Sequence, residues 1–165
     1  MGKKLKILFL CTGNSCRSQM AEGWVRALKA DTIEVYSSGI EIHGLNPSAV
    51  RVMAEAGVDI SKNRSQTIDE FRDKELDVVI TVCGHAHETC PWFPPRCRVI
   101  HVGFEDPPRM AKELADQGAD PDKQLDCFRR VRDEIKAFVQ GLPESLDPRC
   151  DLDGADLDGM TSANK

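Results

Sequence analysis

Cys11 and Arg17 stand six positions apart in the run Cys11-Thr12-Gly13-Asn14-Ser15-Cys16-Arg17-Ser18. Most of that run is small or polar. Successive backbone N–H groups in such a turn converge on an anion, helped by the N-terminus of a following helix. Gly13 is expected to supply a positive φ where the loop curls. Arg17 can return a planar guanidinium to two anion oxygens. Cys11 then lies beneath the anion, and the same N–H groups and helix end favour its thiolate. A thiolate under a tetrahedral oxyanion is a nucleophile aimed at the central atom.

Two further groups could take part. In Phe104-Glu105-Asp106-Pro107-Pro108 the proline keeps Asp106 extended, so its carboxyl can reach over the loop. Displacing an oxygen leaving group needs a proton donor, although an exposed loop aspartate is the plainer reading of Asp106 alone. Cys83-Gly84-His85-Ala86-His87-Glu88-Thr89-Cys90 allows three readings. One is zinc, but structural sites draw ligand pairs from separated segments and these four ligands share one stretch. Another is a buried Cys83 with solvated histidines. The third is redox chemistry between thiols.

Strands and helices must bring these groups together. Lys6-Ile7-Leu8-Phe9-Leu10 is almost wholly apolar and reads as a strand buried on both faces. Met20, Ala21, Trp24, Val25 and Leu28 repeat at helical spacing after it. Residues 33–38 form a second strand, stopped by Gly39. Asn46 caps a helix that has Pro47 at its first position and Gly57 at its end. Thr67 and Glu70 make a capping box. Residues 77–82 and 98–102 are a third and a fourth strand. Leu125, Phe128, Val131, Ile135, Phe138, Val139 and Leu142 mark a long amphipathic helix. Residues 107–123, rich in Pro, Gly and Asp, read as a long loop with one helical turn around residues 110–115. Alternating strands and helices define an α/β fold with a mostly parallel sheet. Its site lies beyond the C-terminal strand ends, where Cys11, Cys83 and Asp106 fall.

The chain has 165 residues, 41% hydrophobic and 30% charged, with net charge −5. One domain over residues 1–143 is expected. The segment 144–165, with six acidic and two basic residues, is expected to be a flexible tail. The negative balance gives no reason to expect a nucleic-acid surface. No apolar run reaches the roughly 18 residues of a membrane span, and no secretory signal is evident. The expectation is a cytoplasmic monomer without membrane attachment. Seven cysteines at irregular spacing then argue for metal, redox or nucleophile chemistry over a static disulfide framework. Cys16 reads as supportive of the loop, Cys97 and Cys127 as incidental, and Cys150 as an exposed thiol. His43 and His101 default to structural roles.

The run from Cys11 through Gly23 closely resembles the low-molecular-weight protein tyrosine phosphatase superfamily, and within it the thioredoxin-coupled arsenate reductases. The resemblance covers about residues 5–142. It includes Ser37-Ser38-Gly39-Ile40, Asn46-Pro47, Val82-Cys83, Cys90-Pro91, Glu105-Asp106-Pro107 and the stretch from Arg130 to Ile135. It implies a three-layer α/β fold with a four-stranded parallel sheet in the order 2-1-3-4. That order makes strands one and three neighbours about 4.8 Å apart, with Cys11 facing Cys83. It implies arsenate as substrate, bound by residues 12–18: Thr12, Gly13, Asn14, Ser15, Cys16, Arg17 and Ser18. It also implies Cys11 as nucleophile, Asp106 as general acid, and a relay through Cys83 and Cys90 regenerated by thioredoxin. Seven helical residues rise about 10.5 Å, and disulfide-bonded Cα atoms are rarely beyond ~6.8 Å. Residues 84–89 must therefore partly unwind for that bond to form. No metal cofactor is implied. Several such reductases bind potassium; Asn14, Glu22 and Ser37 match that site, whereas Gln66 stands at its later acidic position. A phosphatase that uses only Cys11, Arg17 and Asp106, and a non-catalytic redox sensor, are the rivals. Pro108, Arg109 and Met110 after the Asp-Pro step lack the aromatic residues common in the phosphatases.

Overall fold

A computed structural model of the chain describes residues 3–146. Met1, Gly2 and the acidic segment from residue 147 onward, including Cys150, lie outside the described residues. The first strand, β1 (Leu5–Cys11), is the axis of the sheet. It pairs in parallel with β2 (Ile33–Gly39) on one side and β3 (Val78–Thr81) on the other, and β4 (Arg98–His101) completes the order β2-β1-β3-β4. Ile7, Leu8, Phe9 and Leu10 are wholly buried. A strand covered on both faces has no polar side to show, which is why these residues do not alternate. β3 and β4 are shorter than the predicted 77–82 and 98–102. Pairing nevertheless continues past both ends, with Val82 N donating to Leu10 O (2.9 Å) and Val102 N to Thr81 O (2.9 Å).

Helices flank the sheet. In α1 (Arg17–Leu28), Met20, Ala21, Trp24 and Val25 are buried, and Trp24 Nε1 donates to Arg132 O (3.1 Å) on the long C-terminal helix. In α2 (Pro47–Glu55), the Asn46 side chain accepts from Ser48 N (2.8 Å) and Ala49 N (3.1 Å). Gly57 takes φ 88° just after that helix. The capping box is formed, on a single 3-10 turn (Ile68–Phe71). A short helix, α3 (Gly84–Thr89), follows β3.

The stretch 107–123 is not a long loop. It holds α4 (Pro107–Asp116) and, after four connecting residues, the start of α5 (Pro121–Gln140). Its prolines, aspartate and glycine lie at helix ends. Pro107 and Pro108 occupy first-turn positions, where no N–H is needed. Arg109 pairs with Glu113 and Lys112 with Asp116 one turn apart. Gly118 turns the chain at φ 85°, and Asp120 Oδ1 accepts from Lys123 N (3.0 Å) to cap α5. Leu125, Phe128, Val131, Ile135 and Val139 form the buried face of α5, as the spacing predicts.

Gly39 ends β2 opposite Cys11. A Cβ there would stand 2.6 Å from both Asn14 N and Glu41 O. Both are backbone atoms that cannot swing aside. Gly39→Ala is expected to lower stability by about 1–3 kcal/mol, read as a lower midpoint of urea unfolding with an unchanged slope.

Candidate active site

The loop after β1 is held by the chain that follows β2. Ile40 N donates to Cys11 O (3.2 Å), Glu41 N to Thr12 O (2.9 Å), His43 N to Gly13 O (2.9 Å) and Asn46 N to Ser15 O (3.0 Å). The loop's carbonyls are thereby engaged on one side. Among the described residues, the backbone N–H groups of 12–18 have no protein acceptor. Unpaired N–H groups in a largely buried loop are costly, and an anion relieves them. Most of these residues border a cavity of about 370 Å³, lined by Cys11, Thr12, Gly13, Ser15, Cys16 and Arg17 from the loop and by Asp106 opposite.

The positive φ in this loop belongs to Asn14 (50°) and not to Gly13. Asparagine tolerates that region, and its contacts hold it there. Asn14 Oδ1 accepts from Gln66 N (2.8 Å), and Asn14 O accepts from Gln19 Nε2 (3.0 Å) and Ser65 Oγ (2.7 Å). Gly13 is required for space, since a Cβ would fall 2.2 Å from the His43 ring. Asn14 Nδ2 donates to Ser18 Oγ (2.9 Å) and to Ser37 Oγ (3.0 Å). Ser18 Oγ is also 2.9 Å from Cys11 Sγ. With an amide donating to its oxygen, the Ser18 hydroxyl has its own proton free for the sulfur.

Cys11 is 4% exposed at the cavity floor. Arg17 Nη1 donates to Phe104 O (2.9 Å), and Nη2 lies 3.6 Å from Asp106 Oδ1. Asp106 stands at the N-cap of α4 in extended conformation, yet its carboxylate caps nothing and borders the cavity instead. Cys16 is buried, and desolvation pushes its thiol far up, against a weaker pull from Arg17. That keeps Cys16 protonated.

The second and third thiols lie beside this loop. The β1–β3 register ends at Leu10 and Thr81, which puts Cys83 level with Thr12, one residue past Cys11 and not directly facing it, and Cys83 Sγ is 3.2 Å from Thr12 Oγ1. Cys83 is the N-cap of α3 and Cys90 its C-cap. The whole of α3, an element that residue patterning did not announce, therefore stands between them. Cys90 is half-buried, and burial raises its pKa.

Asn14, Glu22, Ser37 and Gln66 meet as the resemblance expects, but not as a cation cage. Ser37 Oγ donates to Glu22 Oε1 (2.5 Å), Arg26 pairs with the other Glu22 oxygen, and Gln66 Nε2 donates to Ser37 O (3.3 Å). Protein donors already engage these oxygens, so the residues do not fit potassium. Desolvation raises the Glu22 pKa, with Ser37 and Arg26 opposing it. A carboxylate raised on folding binds more protons folded than unfolded. This group therefore favours folding most below about pH 4.5, and that contribution fades as pH rises through its folded pKa. Glu22→Gln is expected to flatten this part of the stability profile between pH 4 and 7, measured by urea unfolding.

His43, His85, Asn46 and Pro108 also line the cavity, and spacing gave no sign of them. His85 could have been suspected from its place two residues after Cys83.

The low molecular weight phosphotyrosine protein phosphatase family matches residues 6–151, and the chain belongs to it. An arsenate reductase of Bacillus subtilis is 51% identical over 139 residues, 84% of this chain and 95% of that protein. A solved arsenate reductase in the phosphate binding state is 36% identical, with TM-score 0.63, over 84% of this chain and 95% of the other. An arsenate reductase solved in an oxidized state is also 36% identical, with TM-score 0.66, over 83% and 95%.

Ser18→Ala removes the hydroxyl from Cys11 Sγ and also from Asn14 Nδ2, which keeps its bond to Ser37 Oγ. Alkylation of Cys11 by iodoacetamide at neutral pH, followed by mass spectrometry, is expected to slow by about 10-fold. An unchanged rate means that this hydroxyl does not act on the sulfur.

Proposed function

We propose that this arsenate reductase turns over through Cys11, Cys83 and Cys90, with thioredoxin as the electron donor in the cytosol. The observation that carries the reading is the placement of two more thiols at the ends of α3, one of them beside the anion loop. The curated relative of Bacillus subtilis is an arsenate reductase, and the likeness supports arsenate as the substrate here. Hydrolysis of a phosphoester needs Cys11, Arg17 and Asp106 but leaves the paired thiols without a task.

Arsenate enters the loop and is held by the free N–H groups of residues 12–18 and by the Arg17 guanidinium. The Cys11 thiolate attacks arsenic(V), and one oxygen departs as water with a proton from Asp106. The Cys83 thiolate then attacks Cys11 Sγ. The S–As electron pair passes to arsenic, which leaves as arsenite, and a Cys11–Cys83 disulfide remains. The Cys90 thiolate next attacks Cys83 Sγ and expels Cys11 as thiolate. A dithiol of the thioredoxin class supplies two electrons to the Cys83–Cys90 disulfide by exchange. Arg17 gives the anion a planar fork that lysine cannot reproduce, and the 3.6 Å approach of Asp106 to that guanidinium supports its role as the acid. No helix among the described residues is long and apolar enough to cross a membrane.

Substituting the thiols one at a time tests the order. With Cys83→Ser, little arsenite is expected in a single turnover. With Cys90→Ser, one equivalent of arsenite is expected, with the protein trapped as a Cys11–Cys83 disulfide found by peptide mass spectrometry. Slow hydrolysis of an activated aryl phosphate should survive both changes. A trapped pair other than Cys11 with Cys83 overturns the order.

Asp106→Asn is expected to slow formation of the Cys11 adduct by about 10²–10⁴-fold while arsenate still binds. The measurement is a rapid-quench rate over a range of pH. A rate and a pH profile equal to wild type would show that the proton comes from elsewhere.

A further inference from the structure

Residues beyond the anion loop fix where Cys90 rests. The Cys90 thiol donates to the Trp92 carbonyl (2.9 Å). The Trp92 indole N–H in turn donates to Asp69 Oδ1 (3.0 Å), and the Arg72 guanidinium lies over the Trp92 ring, 4.7 Å from its centroid. Arg72 Nη2 donates to the same Asp69 oxygen (2.9 Å). Asp69 and Arg72 belong to the 3-10 turn Ile68–Phe71 and its C-cap. That turn is itself anchored by its capping box, by the Arg64–Glu70 pair (2.9 Å) and by buried Ile68 and Phe71. Trp92 is therefore clipped to a fixed support in a different part of the chain.

This clip lies in the path of the relay. Cys83 is 5% exposed and sits at the end of a buried strand, whereas Cys90 is only half-buried, beyond the far end of α3. The helix rise between them, about 10.5 Å, exceeds disulfide reach. Cys90 is thus the thiol with freedom to travel, and Pro91 and Trp92 must travel with it. Its Sγ must leave the Trp92 carbonyl, and the chain at Trp92 must come off its support.

We propose that Asp69, Trp92 and Arg72 form a latch that holds Cys90 away from Cys83 in the reduced protein, with Trp92 as a positioning residue for the relay. The inference rests on the relay described above. In the step it governs, the Cys90 thiolate, its proton released to solvent, bonds to Cys83 Sγ. The Cys11–Cys83 bond breaks and Cys11 leaves as thiolate, with no net gain of electrons. The latch favours the dithiol state and opposes the Cys83–Cys90 bond. It also keeps Cys90 desolvated, in line with its raised pKa.

The test equilibrates the full-length protein with mixtures of reduced and oxidised dithiothreitol and measures the Cys83–Cys90 disulfide by peptide mass spectrometry. Two variants are compared with wild type. Trp92→Phe keeps a ring over Arg72 but loses the indole donor. Trp92→Ala loses both contacts. Expected shifts toward the disulfide are about 3-fold for the first and about 10-fold for the second, the order expected for a hydrogen bond and a cation–π contact. In a Cys83→Ser background, Trp92→Ala should also speed alkylation of Cys90. Fluorescence of Trp24, retained in both variants, checks that the fold is intact. If wild type forms the disulfide and both variants match its equilibrium, the latch is refuted and the relay stands. If wild type forms no Cys83–Cys90 disulfide in any mixture, the relay fails and the latch fails with it.

Discussion

A buried peptide N–H needs an acceptor, and the loop after β1 has its carbonyls committed elsewhere. Residues 40–46 take up the carbonyls of Cys11, Thr12, Gly13 and Ser15, so the N–H groups of 12–18 have no protein partner among the described residues. That imbalance is what suits the loop to an oxyanion, the role proposed for it. The wall of hydrogen bonds also sets the positions of Cys11 beneath the cavity and Arg17 at its edge. Gly39 lets the two backbones approach, and Asn14 accepts a left-handed turn because three donors hold its oxygens.

The polar network behind the loop extends that constraint into the core. Asn14 reaches Ser18 and Ser37, Ser18 reaches the Cys11 sulfur, and Ser37 reaches Glu22. Each of these groups is largely buried, and an unmatched one would destabilise the fold. Fixing the Cys11 sulfur and satisfying buried polar groups are therefore the same requirement. At the far end of the network Arg26 pairs with Glu22 and Gln66 donates to Ser37 O, so the chain itself supplies the complementary groups.

The other half of the site rests on a short helix. The order β2-β1-β3-β4 brings Cys83 beside the loop, and a six-residue helix separates it from Cys90. Such a helix is too short to be stable by itself in water. Its survival depends on contacts at its ends, one of which is the Cys90 thiol against the Trp92 carbonyl. A heavily hydrogen-bonded loop next to a short helix is what the proposed relay asks for, a fixed thiol first and a travelling disulfide last.

Residue patterning alone was enough for the strand–loop–helix unit around Cys11, the Asn46 cap, the capping box at Thr67 and the buried face of α5. Each rests on local periodicity or capping, which neighbouring residues encode. It also placed Asp106 in an extended turn, because Pro107 restricts the preceding residue. It misread residues 107–123 as a loop, since proline, aspartate and glycine mark helix ends as readily as turns, and only packing against neighbours shows which. Only the folded chain shows that Gly13 makes room for His43, that His43 lines the cavity, and that Asp69 and Arg72 hold Trp92. Those contacts join residues far apart in the chain. No spacing rule reaches across such a gap, because what brings them together is the pairing of β1 with both of its neighbours.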